Sequence, residues 1–249
     1  MSAPRVWLAV TPAEGARSVT LGPEESAHLV RSLRARQGDA VTLLDGRGLV
    51  AQGTLATADA DGATVTLASV RHAERPRPTV TLAQGMPKGG VMDDLVRTAC
   101  EAGAAAVIPL MTARCEVRLD PERAAARRAR WTVQATEACK QSGNPWLTEV
   151  APPTDVLPWL AALGPAREGE LRLTGSLEPD AGPVGAVDLS GASAVTWLIG
   201  PEGDLTPEEL AAARRAGFRP CSLGPTVLRA ENAALACVVA TFALAGRGR

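Results

Sequence analysis

Two periodicities divide the chain. Up to about residue 75 apolar and polar positions alternate in short runs, the period-two pattern of half-buried strands, and four strands are predicted: Val6–Val10, Val41–Leu44, Leu49–Leu55 and Ala63–Ala68. Asp45-Gly46-Arg47-Gly48 lies between the second and third and carries the residues a tight hairpin turn requires. One helix is predicted in this region, Pro23–Arg34, with Ala27, Val30 and Leu33 on a single face. From Thr79 the pattern changes. Strands Thr79–Gln84, Ala106–Leu110, Leu171–Leu173 and Ala194–Ile199 are interleaved with helices Met92–Ala102, Pro121–Ser142 and Asp155–Leu163, the alternation expected of a mostly parallel sheet. In the first of those helices Met92, Leu95, Val96, Ala99 and Cys100 form one stripe, and Gly103 follows as its C-terminal stop. Between the two regimes, Arg71-His72-Ala73-Glu74-Arg75-Pro76-Arg77-Pro78 breaks both periods, because each proline removes a backbone donor and restricts the residue before it. The boundary is therefore placed there, giving a β-rich domain over 1–75 and an α/β domain over 76–249.

The last sixty or so residues hold the most chemical information. Strand Val195–Ile199 runs directly into Gly200-Pro201-Glu202-Gly203-Asp204, and Thr206-Pro207-Glu208-Glu209 then predicts a helix start by capping box, with proline at the first helical position. That helix should stop at Gly217. A short strand, Pro220–Leu223, leads to Gly224, an irregular loop 225–232 containing Arg229 and Glu231, and an apolar final helix to about Leu244. Two glycine loops thus follow sheet strands at their C-terminal ends, the edge at which open α/β sheets bind ligands.

Composition narrows the classes. With 46% hydrophobic and 21% charged residues the chain is an ordinary globular one. A net charge of −1 argues against coating nucleic acid nonspecifically, so any RNA contact must be a local patch. All basic residues but Lys88 and Lys140 are arginine, which suits bidentate oxyanion contacts and equally reflects a bias toward alanine, glycine and arginine. Cys100, Cys115, Cys139, Cys221 and Cys237 are odd in number and form no CxxC pair, and histidine is limited to His28 and His72; reduced thiols in cytoplasm are expected, with no metal site. No stretch approaches the roughly 20 apolar residues of a membrane span. Aromatics at 3% leave little for base-stacking platforms of the single-strand binders.

Each motif has a bland reading beside its functional one. GPEGD is neither the dinucleotide fingerprint nor a P-loop; it is a tight strand-to-helix turn, or a place where a ligand lies against backbone. Arg229 and Glu231 are a surface pair with Glu231 or Asn232 capping the last helix, or they face a ligand. Lys88-Gly89-Gly90 is a flexible turn, or a cation near RNA phosphate. Arg114, Arg118, Arg123, Arg127, Arg128 and Arg130 form a solvated face, or an RNA patch.

Taken together, HLVRSLRARQGDAVTLLDGRG (28–48), MPKGGVMDDLVRTACEAGAAAVIPLMTARCEV (86–117), TEACKQSG (136–143), LIGPEGDLTPEEL (198–210) and SLGPTVLRAEN (222–232) resemble the RsmE family of ribosomal RNA methyltransferases, in the right order over nearly the whole chain. The resemblance implies a SPOUT α/β methyltransferase domain with a C-terminal trefoil knot, an exception to the rule against knots, behind a PUA-like β-barrel that grips RNA. It implies a homodimer that uses S-adenosyl-L-methionine to methylate N3 of a uridine in 16S ribosomal RNA of the small ribosomal subunit. Carried over by position, it puts the cofactor at Thr174, Gly175, Gly200, Glu202, Gly203, Leu223, Gly224 and Leu228, gives Arg229 and Glu231 the catalytic roles, with Glu231 holding Arg229, and leaves Arg31, Arg34, Lys88 and Arg114 as RNA contacts. The chain departs from the family pattern at Asp204 and Leu205, where glycine and an aromatic are usual, at Asn232, where a threonine hydroxyl is lost, around Asn144, where an arginine is replaced, and at Lys140, where an acid is frequent. Two other classes compete: a catalytically silent RNA-binding or ribosome-assembly protein, which would have no need of Gly200, Gly203 and Gly224, and a phosphate-binding enzyme using the GPEGD helix start, against which Asp204 counts.

Overall fold

Residues 3–246 are described by the computed structural model. The β-rich region forms a five-stranded sheet from β1 (Arg5–Trp7), β2 (Ser18–Thr20), β3 (Ala40–Leu44), β4 (Leu49–Thr57) and β5 (Thr64–His72), in the order β1-β3-β4-β5-β2. β1 and β3 are parallel and the other pairs antiparallel. The predicted hairpin joins β3 to β4, and its residues explain the turn. Buried Asp45 accepts from the backbone N–H of Arg47 at 2.8 Å and of Leu49 at 3.0 Å, so the carboxylate supplies acceptors that the turn's own backbone cannot.

The predicted helix over Pro23–Arg34 is regular only through α1 (Pro23–Ala27) and continues as a wider π turn over His28–Ser32. Arg34, at φ 56°, ends it. β5 runs four residues past the predicted end because the start of β4 pairs with it, Leu49 opposite His72. β2 was not anticipated, being three residues long and too short to show a period. The alternation itself holds: Val41, Leu43, Leu49, Ala51, Leu55 and Val65 meet Val6, Leu21 and Leu29 in one apolar core.

The α/β region contains β6 (Thr79–Gly85), α2 (Val91–Glu101), β7 (Ala106–Met111), α3 (Pro121–Ser142), β8 (Glu149–Val150), β9 (Thr154–Asp155), α4 (Val156–Ala162), β10 (Glu170–Gly175), β11 (Gly182–Pro183), β12 (Ala194–Ile199), α5 (Pro207–Arg215), β13 (Arg219–Ser222) and α6 (Ala230–Leu244). Its strands run β11-β13-β10-β12-β6-β7-β8, with β9 also on β7, and every pairing is parallel. Central β6 and β12 are buried without a break over their C-terminal halves, as strands covered on both faces are. The chain divides into two units, one of Met1–Arg75 with Thr136–Leu147, the other of Pro76–Ala135 with Thr148–Arg249.

Within the second unit α2 carries the predicted stripe, its buried residues being Met92, Leu95, Val96, Ala99 and Cys100, and Gly103 takes φ 91° just beyond it. α5 starts with the predicted capping box: Thr206 Oγ1 accepts from Glu209 N at 3.2 Å, and Glu209 Oε2 accepts from Thr206 N at 2.8 Å. A second core joins Ala83, Leu110, Leu198 and Leu205 to Val156 and Leu160 of α4 and Ala213 of α5. On β12, Trp197 donates its indole N–H to Thr241 Oγ1 of α6 at 2.9 Å, which fixes that helix against the sheet. All five cysteines are buried thiols, and burial raises Cys221 and Cys237 above the usual thiol value, so neither is an exposed nucleophile.

Candidate active site

Because every strand of the large sheet is parallel, the C-terminal ends of adjacent β13, β10, β12 and β6 share one edge. A cavity of about 570 Å³ opens there, within the roughly 300–1,000 Å³ range of small-molecule sites. Its lining comes from the residues that follow each strand: Leu223 and Gly224 after β13, Gly175–Leu177 at the end of β10, Ile199–Glu202 with Asp204 after β12, and Lys88 after β6. The loop 226–229 and the first turn of α6 complete it.

The loop 200–205 is tied from three directions. Gln84, wholly buried near the end of β6, donates from Nε2 to the carbonyl of Gly200 at 3.2 Å and to that of Gly85 at 2.8 Å. Glu202 Oε1 accepts from the backbone N–H of Lys88 at 3.1 Å. Arg114 donates to the carbonyls of Gly203 at 2.9 Å and Leu205 at 3.3 Å. Inside the loop, Asp204 N–H donates to Pro201 O at 2.9 Å, and the Asp204 carboxylate accepts from Leu205 N at 2.7 Å. Asp204 adopts φ 61°, a left-handed conformation that aspartate tolerates better than most residues, which explains how it can occupy a position where glycine is usual. Gly200 is required by proximity: a Cβ there would lie 2.7 Å from Asp204 Oδ1 and 3.0 Å from its Cα.

Of the candidate cofactor residues, Gly175, Gly200, Glu202, Leu223, Gly224 and Leu228 line the cavity. Thr174 is buried within β10 beside it, and Gly203 packs against the Cβ of Arg114. Arg229 and Glu231 both line it. The expected Arg229–Glu231 pairing is not seen: among the described residues no ion pair joins them. Neither Glu231 nor Asn232 caps α6, whose N-cap is Arg229 with no side-chain hydrogen bond. Glu231 sits in the first turn, where the helix dipole favours an anion.

The candidate RNA contacts separate. Lys88 lines the cavity and forms an exposed pair with Glu116 at 3.4 Å. Arg114 is occupied by loop carbonyls. Arg31 and Arg34 are exposed in the first unit, Arg31 lying 3.9 Å from Asp61. In the arginine series 114–130, Arg118 lies 3.9 Å from Asp155, Arg123 pairs with Asp120, Arg130 pairs with Asp93, and Arg128 donates to Val150 O. Most of that series is engaged within the chain.

Sequence reasoning missed Gln84, Val91, Ser176, Thr226 and Ala233. Gln84 alone left a trace, a polar residue closing an otherwise apolar run. Among the described residues no group of three or more histidine, cysteine, aspartate or glutamate side chains could hold a metal, and no helix is long and apolar enough to cross a membrane.

A parallel α/β sheet with a ligand-sized cavity at its strand ends is the architecture of an α/β enzyme that binds a small molecule, and in the chain a β-rich sheet precedes it. Residues 73–241 match the RNA methyltransferase domain family and residues 21–68 the RNA methyltransferase PUA domain family. The chain is 30% identical over 229 residues to ribosomal RNA small subunit methyltransferase E of Bacillus subtilis, covering 89% of this chain and 88% of that one. It is 34% identical over 219 residues to the protein of that name from Synechocystis, covering 87% and 70% respectively. Its backbone is similar to the crystal structure of ribosomal RNA small subunit methyltransferase E from Neisseria gonorrhoeae bound to S-adenosyl methionine, with TM-score 0.86, 30% identity and 98% of each chain covered. This chain belongs to the ribosomal RNA small subunit methyltransferase E family.

Proposed function

We propose that the protein transfers the methyl group of S-adenosyl-L-methionine to N3 of a uridine in 16S ribosomal RNA. The observation that carries this reading is the cavity, where glycine backbone and apolar side chains meet an arginine that has no carboxylate partner among the described residues. The residues present suit the cofactor: Leu223, Leu228, Ile199 and Ala230 offer apolar surface to an adenine ring, while Gly175, Gly200 and Gly224 leave backbone groups accessible. Gly175 has no room for more, since a Cβ there would lie 3.1 Å from Ile199 Cδ1. The bound cofactor supplies a methyl group already activated by its sulfonium centre.

The chain's own work is then positioning and charge. Arg229, exposed at the rim, orients the uracil carbonyls or the adjoining phosphate, and favours the N3-deprotonated ring by its charge. Holding both reactants in line lowers the barrier, by on the order of 7–11 kcal/mol in well-oriented systems. Glu231 faces the same space. Residues 1–75 serve as the RNA-gripping domain and 76–249 as the methyltransferase domain, threaded as a trefoil knot; Arg31, Arg34 and Lys88 meet RNA phosphate. The protein works in the cytoplasm as a homodimer, a reading supported by α6. That helix buries Ala233, Ala234, Cys237, Val238 and Thr241 against its own unit, yet leaves Leu235 and Val239, one turn apart, exposed on the other face.

The test is incubation of purified protein with undermethylated 16S RNA and S-adenosyl-L-methionine, followed by mass spectrometry of the nucleosides. The expected product is 3-methyluridine. Cofactor binding without any methyl transfer to RNA or to assembled subunits would overturn the reading in favour of a silent RNA-binding relative.

A further inference from the structure

The segment that breaks the sequence periodicity also builds a surface. Trp146, in the stretch of the first unit that comes late in the chain, covers the β3–β4 turn: a Cβ on Gly48 would lie 2.6 Å from an indole ring carbon, so glycine is what lets the ring lie there. Arg47 and Trp146 form an isolated antiparallel bridge, and the indole N–H donates to the carbonyl of Glu74 at 3.3 Å. The Arg75 guanidinium carbon then stands over the ring, 5.1 Å from its centroid, a cation–π contact.

Strand register adds a second cation. Leu49 is buried in the core and pairs with His72, while Val50 pairs with Arg71, so Arg71 points to the sheet face opposite Leu49. Gly48, at the entry to β4, is the position the Trp146 ring lies against. Arg47, Arg71 and Arg75 are exposed, and among the described residues none of them has an ion-pair partner. Glu74 is the one acid in 71–75.

We propose that this face is a docking surface for the RNA phosphate backbone, distinct from the cavity and from Arg31 and Arg34. Arg75 rests its guanidinium over an indole that is itself hydrogen-bonded to Glu74 O, so part of its side-chain freedom is already lost before it meets a phosphate or an unpaired base. Arg47, bridged to Trp146 through its backbone, and Arg71, four residues before Arg75, add two more exposed cations to this unit. The proposal rests on the reading that the substrate is RNA.

The test is filter binding of in vitro transcribed 16S RNA across a salt series, for wild type and for the pair Arg71→Glu with Arg75→Glu, with cofactor titration and melting on the same samples. The expected result is a loss of RNA affinity of about tenfold or more and a log–log salt slope shallower by about two, with cofactor affinity and melting temperature unchanged. Wild-type binding that the variant reproduces in affinity and slope overturns the surface and leaves the methyltransferase reading standing. Wild type that binds no RNA at any salt overturns both. A variant that loses binding to polyglutamate while keeping RNA affinity assigns the face to an acidic protein and overturns the proposal.

Discussion

The side-chain amide of Gln84 reaches from the end of β6 to the carbonyl oxygen of Gly200 at 3.2 Å, linking the central strand to the loop that lines the cavity. Gln84→Leu leaves that carbonyl and the carbonyl of Gly85 without this donor, at about 1–3 kcal/mol for each group that finds no other. Isothermal titration is expected to show S-adenosyl-L-methionine binding weakened about tenfold, since a loosened loop must be ordered again on binding. An unchanged Kd in folded protein would show that the link does not organise the site.

Gly200→Ala tests the cradle directly. Its methyl group would lie 2.7 Å from Asp204 Oδ1 and 3.1 Å from the backbone nitrogen of Leu205, so the loop must shift as a whole. Cofactor affinity should fall by more than about tenfold while circular dichroism stays that of the wild type. Full affinity in the alanine variant sinks the assignment of this loop to the cofactor.

Arg229→Ala removes an exposed side chain with no ion-pair partner among the described residues, so the melting temperature should hold within a degree or two, as for most surface changes of about 0.5 kcal/mol or less. Methylation should drop by at least about a hundredfold with cofactor Kd unchanged, the signature of an interaction made in the transition state. Arg229→Lys should not restore it, because an ammonium lacks the bidentate fork. Retained turnover in Arg229→Ala would remove Arg229 from the chemistry, and retained turnover in Arg229→Lys would reduce its part to charge alone.

The exposed apolar face of α6 predicts a concentration-dependent dimer. Leu235→Asp combined with Val239→Asp places two charges on that face, away from the buried Val238 side. Light scattering should report a dimer for wild type and a monomer for the variant. A variant that remains dimeric puts the interface elsewhere.

Lys140 should be a structural cation. Nearly buried, it lies 2.7 Å from both Glu25 and Glu137, and Glu25 also accepts from Trp7 N at 3.0 Å. Burial works to lower its pKa, yet the hydrogen bonds to Glu137 and Glu25 carry it above the ordinary lysine value. Lys140→Gln should cost roughly 2–3 kcal/mol in chemical denaturation, at the low end for a buried pair because Glu137 reaches water. With a folded pKa above the unfolded one, that contribution is fully present below about pH 10.4 and is lost as pH rises through the folded value. The gap between wild type and variant should therefore be flat at neutral pH and narrow only in strong alkali.

Much of this architecture was legible along the chain because it depends on neighbours in sequence. The stripe of α2, the Gly103 stop, the Thr206–Glu209 capping box and the Asp45–Gly48 turn are each closed by contacts within a few residues. The loops GPEGD and 223–232 were legible, for the same reason, as turns that follow parallel strands, and the family resemblance is what pointed to a ligand there. Local signals also misled where a side chain's partner lies far away. Arg114 looks like a free cation in an arginine-rich stretch, yet its donors meet carbonyls 89 and 91 residues further on.

By itself the sequence determined the two periodicities, the helix and turn signals, and the family phrases that name the chemistry. The tertiary structure alone decided that the ends of β13, β10, β12 and β6 stand side by side, that Gln84 serves the Gly200 loop, that Arg229 stands at a cavity rim, and that Trp146 supports Arg75. Those relationships join positions dozens to more than a hundred residues apart, and no local propensity encodes them. They arise because a parallel sheet aligns strand ends from distant segments on one edge, and because each buried polar group must find its partner wherever the fold has brought one.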